Sequence, residues 1–328
     1  MYNFCTLFDS NYLSRGIAMF ESLKQHCSDF HLYVFAFDEA CDRILRGLAL
    51  PHVTVISLRD FEDEKLLEVK PSRSRAEYCW TCTSSSILYV LEKFGVDSCT
   101  YLDADLYFLS SPHIFFEEMG VNSILITEHR YTKRYDKSKK SGKYCVQFIF
   151  FRNDEKGLRA LRWWRERCLE WCYARVEDGK FGDQMYLDDW TDRFQGVHVL
   201  RHLGGGLAPW NVQQYSFFKK EGRLFGRELK SANEFEAVFY HFHYVRFFHN
   251  GVLELGRRVL SNEVRTLIYK PYIRHLEDVK TRIRAIDSSL DPHGTTRYGW
   301  TWKTPILYVS RTLARSYNLF GKGQFIEE

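Results

Sequence analysis

The run Tyr101-Leu-Asp-Ala-Asp-Leu-Tyr-Phe-Leu109 constrains the fold of this chain more than any other stretch. It has the apolar character of a buried strand, yet it carries two aspartates. Side chains alternate along a strand, so the spacing predicts that Asp103 and Asp105 point together and Ala104 points away. Apolar residues on both sides distinguish the pair from a solvated acidic loop. Two parallel carboxylates offer oxygen donors only, which suits a hard divalent cation, Mn²⁺ or Mg²⁺. Such an ion is what holding and releasing a diphosphate requires.

The stretches around this run alternate in type. Strand signals fall at Asn3–Phe8, His31–Phe37, His52–Leu58 and Cys99–Leu106, with helical signals at Leu13–Lys24, Asp38–Leu48 and Ala76–Phe94. This alternation predicts an α/β fold with a mainly parallel central sheet flanked by helices on both faces. Ligands bind such sheets beyond the carboxyl ends of the strands, where Asp9 and the Asp103–Asp105 pair fall. Further strands are expected at Ser123–Glu128, Tyr144–Phe151 and Val197–Leu200. A helix is expected from Glu155 to about Ala174, with Leu161, Trp164, Cys168 and Trp171 on one face as core. A short helix opens near Phe181–Trp190, and Gly204–Gly206 reads as a tight loop.

Composition narrows the function. At 328 residues, with 45% hydrophobic and 27% charged residues, the chain is globular. A net charge of +4 does not call for nucleic acid. Aromatic residues make up 16% and suit sugar and base stacking as well as core packing. Nine cysteines without an export signal predict reduced thiols and a cytoplasmic setting. Cys79 and Cys82 form a lone C-x-x-C, read as structural. No G-x-x-x-x-G-K-[ST] loop and no G-x-G-x-x-G after the first strand occur, so kinase and dinucleotide-oxidoreductase readings lack their phosphate cradles.

Four features in order bring a family into view: Thr6-Leu-Phe-Asp-Ser-Asn-Tyr12, Tyr101-Leu-Asp-Ala-Asp105, Gly182-Asp-Gln184 and a His-Phe-x pattern at His241. In this order the chain, from about Asn3 to Phe248, resembles GT-A fold nucleotide-sugar glycosyltransferases, particularly the retaining enzymes of family 8. The resemblance implies a GT-A (Rossmann-like) domain over residues 1–287 and transfer of a hexose from a UDP-sugar to a glycan or lipid-linked glycan. It assigns Thr6, Asp9, Asn11 and Tyr12 to the donor's base and ribose. Asp103, Asp105 and His241 are assigned to the metal, with Asp103 also near the ribose and His243 an alternative ligand on the same strand face. Asp183 is assigned to sugar hydroxyls and Gln184 to the anomeric carbon; Asp183 also suits a helix N-cap. Arg73, Arg75 and Glu77 would line the donor pocket or form surface ion pairs.

The chain departs from the family in two places. Tyr244 and Phe247 stand where the family has a diphosphate-binding glycine and lysine, leaving Arg246 or His249 to supply positive charge. Cys145-Val-Gln147 replaces an Asn-x-Gly strand, so Gln147 is the donor-sugar candidate. Were the enzyme inverting, Glu128, Asp188 or Asp189 would be a candidate base. Residues 288–328 are expected to form a helical extension. There Trp300 and Trp302 precede Pro305, and Ile306, Val309, Leu313 and Tyr317 recur at helical spacing, with Arg311 and Arg315 off the stripe. The stripe would either dock on the main domain or lie on an anionic membrane face. Two other functions stay open: a sugar-1-phosphate nucleotidyltransferase, which would need an early glycine-rich loop, and a non-catalytic sugar-nucleotide or glycan-binding domain.

Overall fold

The computed structural model describes residues 1–299, 304–314 and 316–326. The first eight strands are β1 (Tyr2–Phe8), β2 (Phe30–Ala36), β3 (Val53–Ser57), β4 (Ser98–Leu102), β5 (Leu106–Phe108), β6 (Ile124–Glu128), β7 (Tyr144–Arg152) and β8 (Val197–Val199). Seven of them form one sheet in the order β3-β2-β1-β4-β7-β6-β8. Strands β1 to β4 run parallel, β7 lies antiparallel between β4 and β6, and β8 runs parallel to β6. This is the expected mixed, mainly parallel α/β architecture.

Both faces are covered. Helices α1 (Leu13–His26) and α2 (Glu39–Leu48) bury Ile17, Leu23 and Ile44 in one core layer. Helices α3 (Arg75–Phe94) and α4 (Glu155–Glu170) bury Ile87, Leu161 and Trp164 in the other. Ser74 and Glu77 close a capping box at the start of α3. Helix α4 ends at Glu170, short of the expected Ala174, because Trp171 turns extended at its C-cap. Trp171 is nevertheless buried with the other three stripe residues, so that face is core.

One expectation needs correction. Cys99–Leu106 is not a continuous strand: β4 stops at Leu102, and the Leu106 N–H bonds the Asp103 carbonyl across a turn at 3.1 Å. Strand β5 then leaves the main sheet and pairs with β12 (Phe239–His241). Between them the chain forms the antiparallel sheet β9 (Tyr215–Lys220), β10 (Arg223–Glu228) and β11 (Glu234–Glu236). The acid pair therefore sits on a turn, and its common direction comes from that turn. A departing chain is preferable to a continued strand because two carboxylates inside a sheet would be desolvated without partners.

After β13 (Arg246–Phe247) and β14 (Val252–Glu254) comes the long helix α5 (Lys270–Ile286), which packs on α1. The last stretch returns to the body: β15 (Leu319–Gly321) pairs with β14, and the Ser14 N–H bonds the Pro292 carbonyl at 3.1 Å. Helix α6 (Thr304–Leu313) forms where helical spacing predicts it, but Tyr317 lies beyond its end. Ile306, Val309 and Leu313 are exposed, so this stripe is not docked on the domain. Trp300, Trp302 and Arg315 lie outside the described residues.

Glu277 on α5 ties this last stretch down, meeting His293 Nε2 at 3.2 Å and Lys322 Nζ at 2.8 Å. Burial opposes its ionisation, but hydrogen bonds from His293 and Lys322 outweigh that and hold its carboxyl at about 2, against 4.5 when free. The folded-state value is depressed, so this stabilisation is complete above about pH 4.5 and is lost as pH falls toward 2. We expect Glu277→Gln to remove on the order of 2 kcal/mol near neutral pH and to flatten the acid limb of a melting-temperature profile. An unchanged acid limb in the variant would refute this linkage.

Candidate functional site

The ends of β1 and β4 are neighbours, because these strands pair directly. The loops that follow them are therefore adjacent. Beyond β1, the Asp9 side chain accepts the Asn11 N–H at 2.9 Å and caps a single 3-10 turn. Tyr12 is exposed, with the Arg15 guanidinium 4.5 Å from its ring centre. Arg75 bridges Asp9 at 2.5 Å and Asp38 at 2.7 Å, which brings the start of α3 to the β1 loop. Thr6 lies fully buried within β1 with its hydroxyl unpartnered.

At the end of β4, Asp105 and Asp103 converge on one imidazole. His241 Nε2 lies 3.1 Å from Asp105 Oδ1 and 3.7 Å from Asp103 Oδ2. Asp103 is the more open, keeping 27% of its side chain exposed against 12% for Asp105. Ligand atoms of Asp105, His241 and His243 lie within 4.8 Å of one another. The structure thus brings both histidines to the acid pair. His243 is exposed and follows β12, so it occupies the mouth while His241 sits beneath.

The electrostatics follow from crowding. Burial raises the Asp103 carboxyl pKa, and the neighbouring Asp105 charge adds to the rise. Burial also opposes ionisation of Asp105, but the His241 imidazolium outweighs it and holds Asp105 low. His241 is raised well above its usual value by Asp105 despite its burial. Asp183 is a third acid in this group. Burial, then the charge of Asp103, push its carboxyl up to about 8. Asp105, His241 and His243 form a donor set that would accommodate a divalent cation once the His241 imidazole gives up its extra proton. Oxygen donors with imidazole nitrogens suit Mn²⁺ better than Mg²⁺, which prefers oxygen alone.

Gln147, the donor-sugar candidate, is engaged with other side chains. It is fully buried on β7, its Oε1 accepts from His241 Nδ1 at 2.8 Å, and its Nε2 donates to Thr127 Oγ1 at 3.3 Å. This fixes the His241 tautomer and turns Nε2 toward the acids. We expect Gln147→Leu to weaken Mn²⁺ affinity about 10–100-fold while leaving the far-ultraviolet spectrum unchanged. Titration with Mn²⁺ checks this, and equal affinities would remove the orienting role.

The expected catalytic pair is split. Asp183 is buried beside the acid pair, and its carbonyl accepts the Trp164 indole N–H at 2.8 Å. It does not serve as a helix cap, because the following turn starts at Met185 without a side-chain cap. Gln184 instead donates its amide to the Ser141 carbonyl. Among the other candidates, Asp188 accepts the Lys143 N–H at 2.7 Å, and Asp189 pairs with Arg193. Arg73 stacks 4.0 Å from the Tyr173 ring, and Glu77 is taken up by its cap and by the Ala174 N–H. Cys79 and Cys82 remain free thiols on α3.

Several site residues were not singled out from sequence. Trp210 walls the two histidines, with ring centres 5.4 Å from His241 and 5.8 Å from His243. The glycine loop before it backs the site: the Leu207 carbonyl accepts the His241 N–H at 2.8 Å. Gly206 has φ +82°, and a Cβ there would stand 2.9 Å from Gln147 Nε2. Only glycine meets both demands. Gly206→Ala is expected to cost roughly 1–3 kcal/mol and to displace Gln147. Chemical denaturation with Mn²⁺ titration tests both, and a neutral variant would show that the loop is not constrained. The glycine run was visible in the sequence; its contact with Gln147, about sixty positions away, was not.

Together these features define a mixed α/β protein with a buried carboxylate–histidine cluster at the carboxyl end of its parallel strands. No family model matches the chain. It belongs to the same family as YfnD of Bacillus subtilis (strain 168), an uncharacterized protein to which it is 30% identical over 285 residues, covering 84% of this chain and 89% of YfnD. YfnF of the same organism is 32% identical over 247 residues, covering 73% and 80%. Similar solved structures include an active-site mutant of LgtC, at 11% identity over 84% of this chain and 95% of that one, TM-score 0.48. Mouse xyloside xylosyltransferase 1 matches at 13% identity over 61% and 84%, TM-score 0.42. These structural likenesses are distant.

Proposed function

We propose that this chain is a metal-dependent glycosyltransferase that moves a hexose from a nucleoside-diphosphate sugar, a UDP-sugar by family resemblance, to a glycan or lipid-linked glycan. Retention of anomeric configuration, as in family 8, belongs to the same reading. The observation that supports it is the convergence of Asp105, His241 and His243 beside Asp103, where the β1 and β4 loops are adjacent. A divalent cation bound there would neutralise charge that collects on the departing diphosphate.

The chain's own groups would do the rest. Asp105 and the two histidines would hold the cation, and Gln147 keeps His241 oriented. Asp103, the more open acid, reaches toward the ribose. Tyr12 offers an exposed ring to the base, and Asp9, Asn11 and Arg75 shape the pocket edge. Thr6, buried within β1, supports this loop from below. Asp183 would accept bonds from sugar hydroxyls once deprotonated, which the cation favours. Arg246 or His249, beyond His243, would supply positive charge at the edge of the diphosphate side. Peripheral membrane contact through exposed Ile306, Val309 and Leu313 would bring a lipid-linked acceptor within reach.

One observation favours a second, binding-only reading: Gln184 must leave the Ser141 carbonyl before it can sit beneath an anomeric carbon. Calorimetry with UDP, GDP and CDP, each with and without Mn²⁺, tests the main reading. Mn²⁺-dependent binding of one diphosphate is expected; no binding to any of them would sink it. A donor-hydrolysis screen across nucleotide sugars then separates turnover from binding alone.

A further inference from the structure

A cavity of about 880 Å³ is bounded by the β13–β14–β15 sheet, the 296–299 segment and α6. Arg246, Arg257, Arg297 and Arg311 line it together with Phe248 and Tyr298. Arg311 is neutralised by Glu254 at 2.9 Å, with both side chains largely buried. The other three arginines have no acidic partner among the described residues. Among the described residues these three exposed side chains give the cavity a positive lining that a multiply charged anion would complement. Their planar forks match phosphate oxygens in pairs.

A short run of chain, from His241 to Arg246, links the cation site to the cavity lining. The His241 and His243 rings are 5.7 Å apart, His243 and Tyr244 5.9 Å, and the Arg246 guanidinium lies 4.1 Å from the Tyr244 ring centre. Tyr244 has φ +79°, a costly conformation for a side chain of its size. Strain of this kind persists where surrounding structure holds it, and here it turns the chain from the histidines to the arginines.

We propose that this cavity binds the phosphate-bearing end of the acceptor, so that the acceptor is an anionic, phosphorylated compound. The word acceptor rests on the glycosyl-transfer reading; anion binding by the cavity does not. The test uses the full chain saturated with UDP and Mn²⁺, titrated in two arms. One arm uses glucose 6-phosphate against glucose; the other uses neutral phosphatidylcholine vesicles with and without a polyprenyl phosphate. Saturable binding is expected in one arm, and which arm responds distinguishes a soluble phosphorylated glycan from a lipid phosphate. The Arg257→Ala/Arg297→Ala variant should lose about tenfold or more of that affinity, with UDP binding unchanged. The Arg257→Lys/Arg297→Lys variant, which keeps the charge, should recover part of the loss. No phosphate-dependent binding in either arm, or equal binding by wild type and the alanine variant, overturns the proposal. If UDP fails to bind the wild type while the phosphate arms respond, the transferase reading falls and the anion site stands.

Discussion

Asp105→Asn should lower donor turnover about a hundredfold or more and abolish measurable Mn²⁺ binding, with the fold intact. Asparagine keeps the shape and one oxygen but removes the carboxylate charge that would bind the cation beside His241 and His243. Stabilisation of a leaving group by fixed charge is worth several kcal/mol in a water-poor site, which sets the size of the effect. Asp103→Asn should cost less, because Asp103 is more exposed and lies 3.7 Å from His241 where Asp105 lies at 3.1 Å. Turnover per folded molecule, measured with Mn²⁺ titration, checks the order. Wild-type turnover in Asp105→Asn would show that the cluster is structural.

The second large effect is on stability. Trp164 is completely buried, packs 6.2 Å from Phe151 and 5.7 Å from Trp190 between ring centres, and donates to the Asp183 carbonyl. Trp164→Ala should cost about 3–5 kcal/mol, a large share of the roughly 5–15 kcal/mol that keeps a domain folded. Trp164→Phe retains most of the packing but leaves that buried carbonyl unpaired, at about 1–3 kcal/mol. Its turnover should fall more than its stability does, because the carbonyl belongs to Asp183. Urea denaturation and donor turnover on both variants separate the two effects. A phenylalanine variant as active as wild type would detach Trp164 from the site.

The sheet, its helices and the two strand ends were legible because they depend on local patterning. Apolar runs bounded by polar turns specify strands, and the periodicity of α1, α2, α3 and α4 specifies which face is covered. The position of Asp103 and Asp105 was legible for the same reason, though the strand argument for their direction failed at Leu102. Strand β4 pairs with β1 as far as Tyr101 and with β7 as far as Leu102, and local pattern does not reveal where a neighbouring strand stops. Gln147 was picked out through the family pattern, yet its partner is His241, ninety-four positions along.

Sequence alone settled that acids stand at the carboxyl ends of parallel strands, since alternation of apolar and polar residues is written within each segment. Tertiary structure decided which of those acids meet a histidine, which arginines are already paired, and that the α6 apolar stripe faces outward. Those outcomes depend on contacts between segments distant in the chain, as when β12 returns to pair with β5 and carries His241 to Asp105. Such closures are set by the shape of the whole core, and no single stretch encodes them.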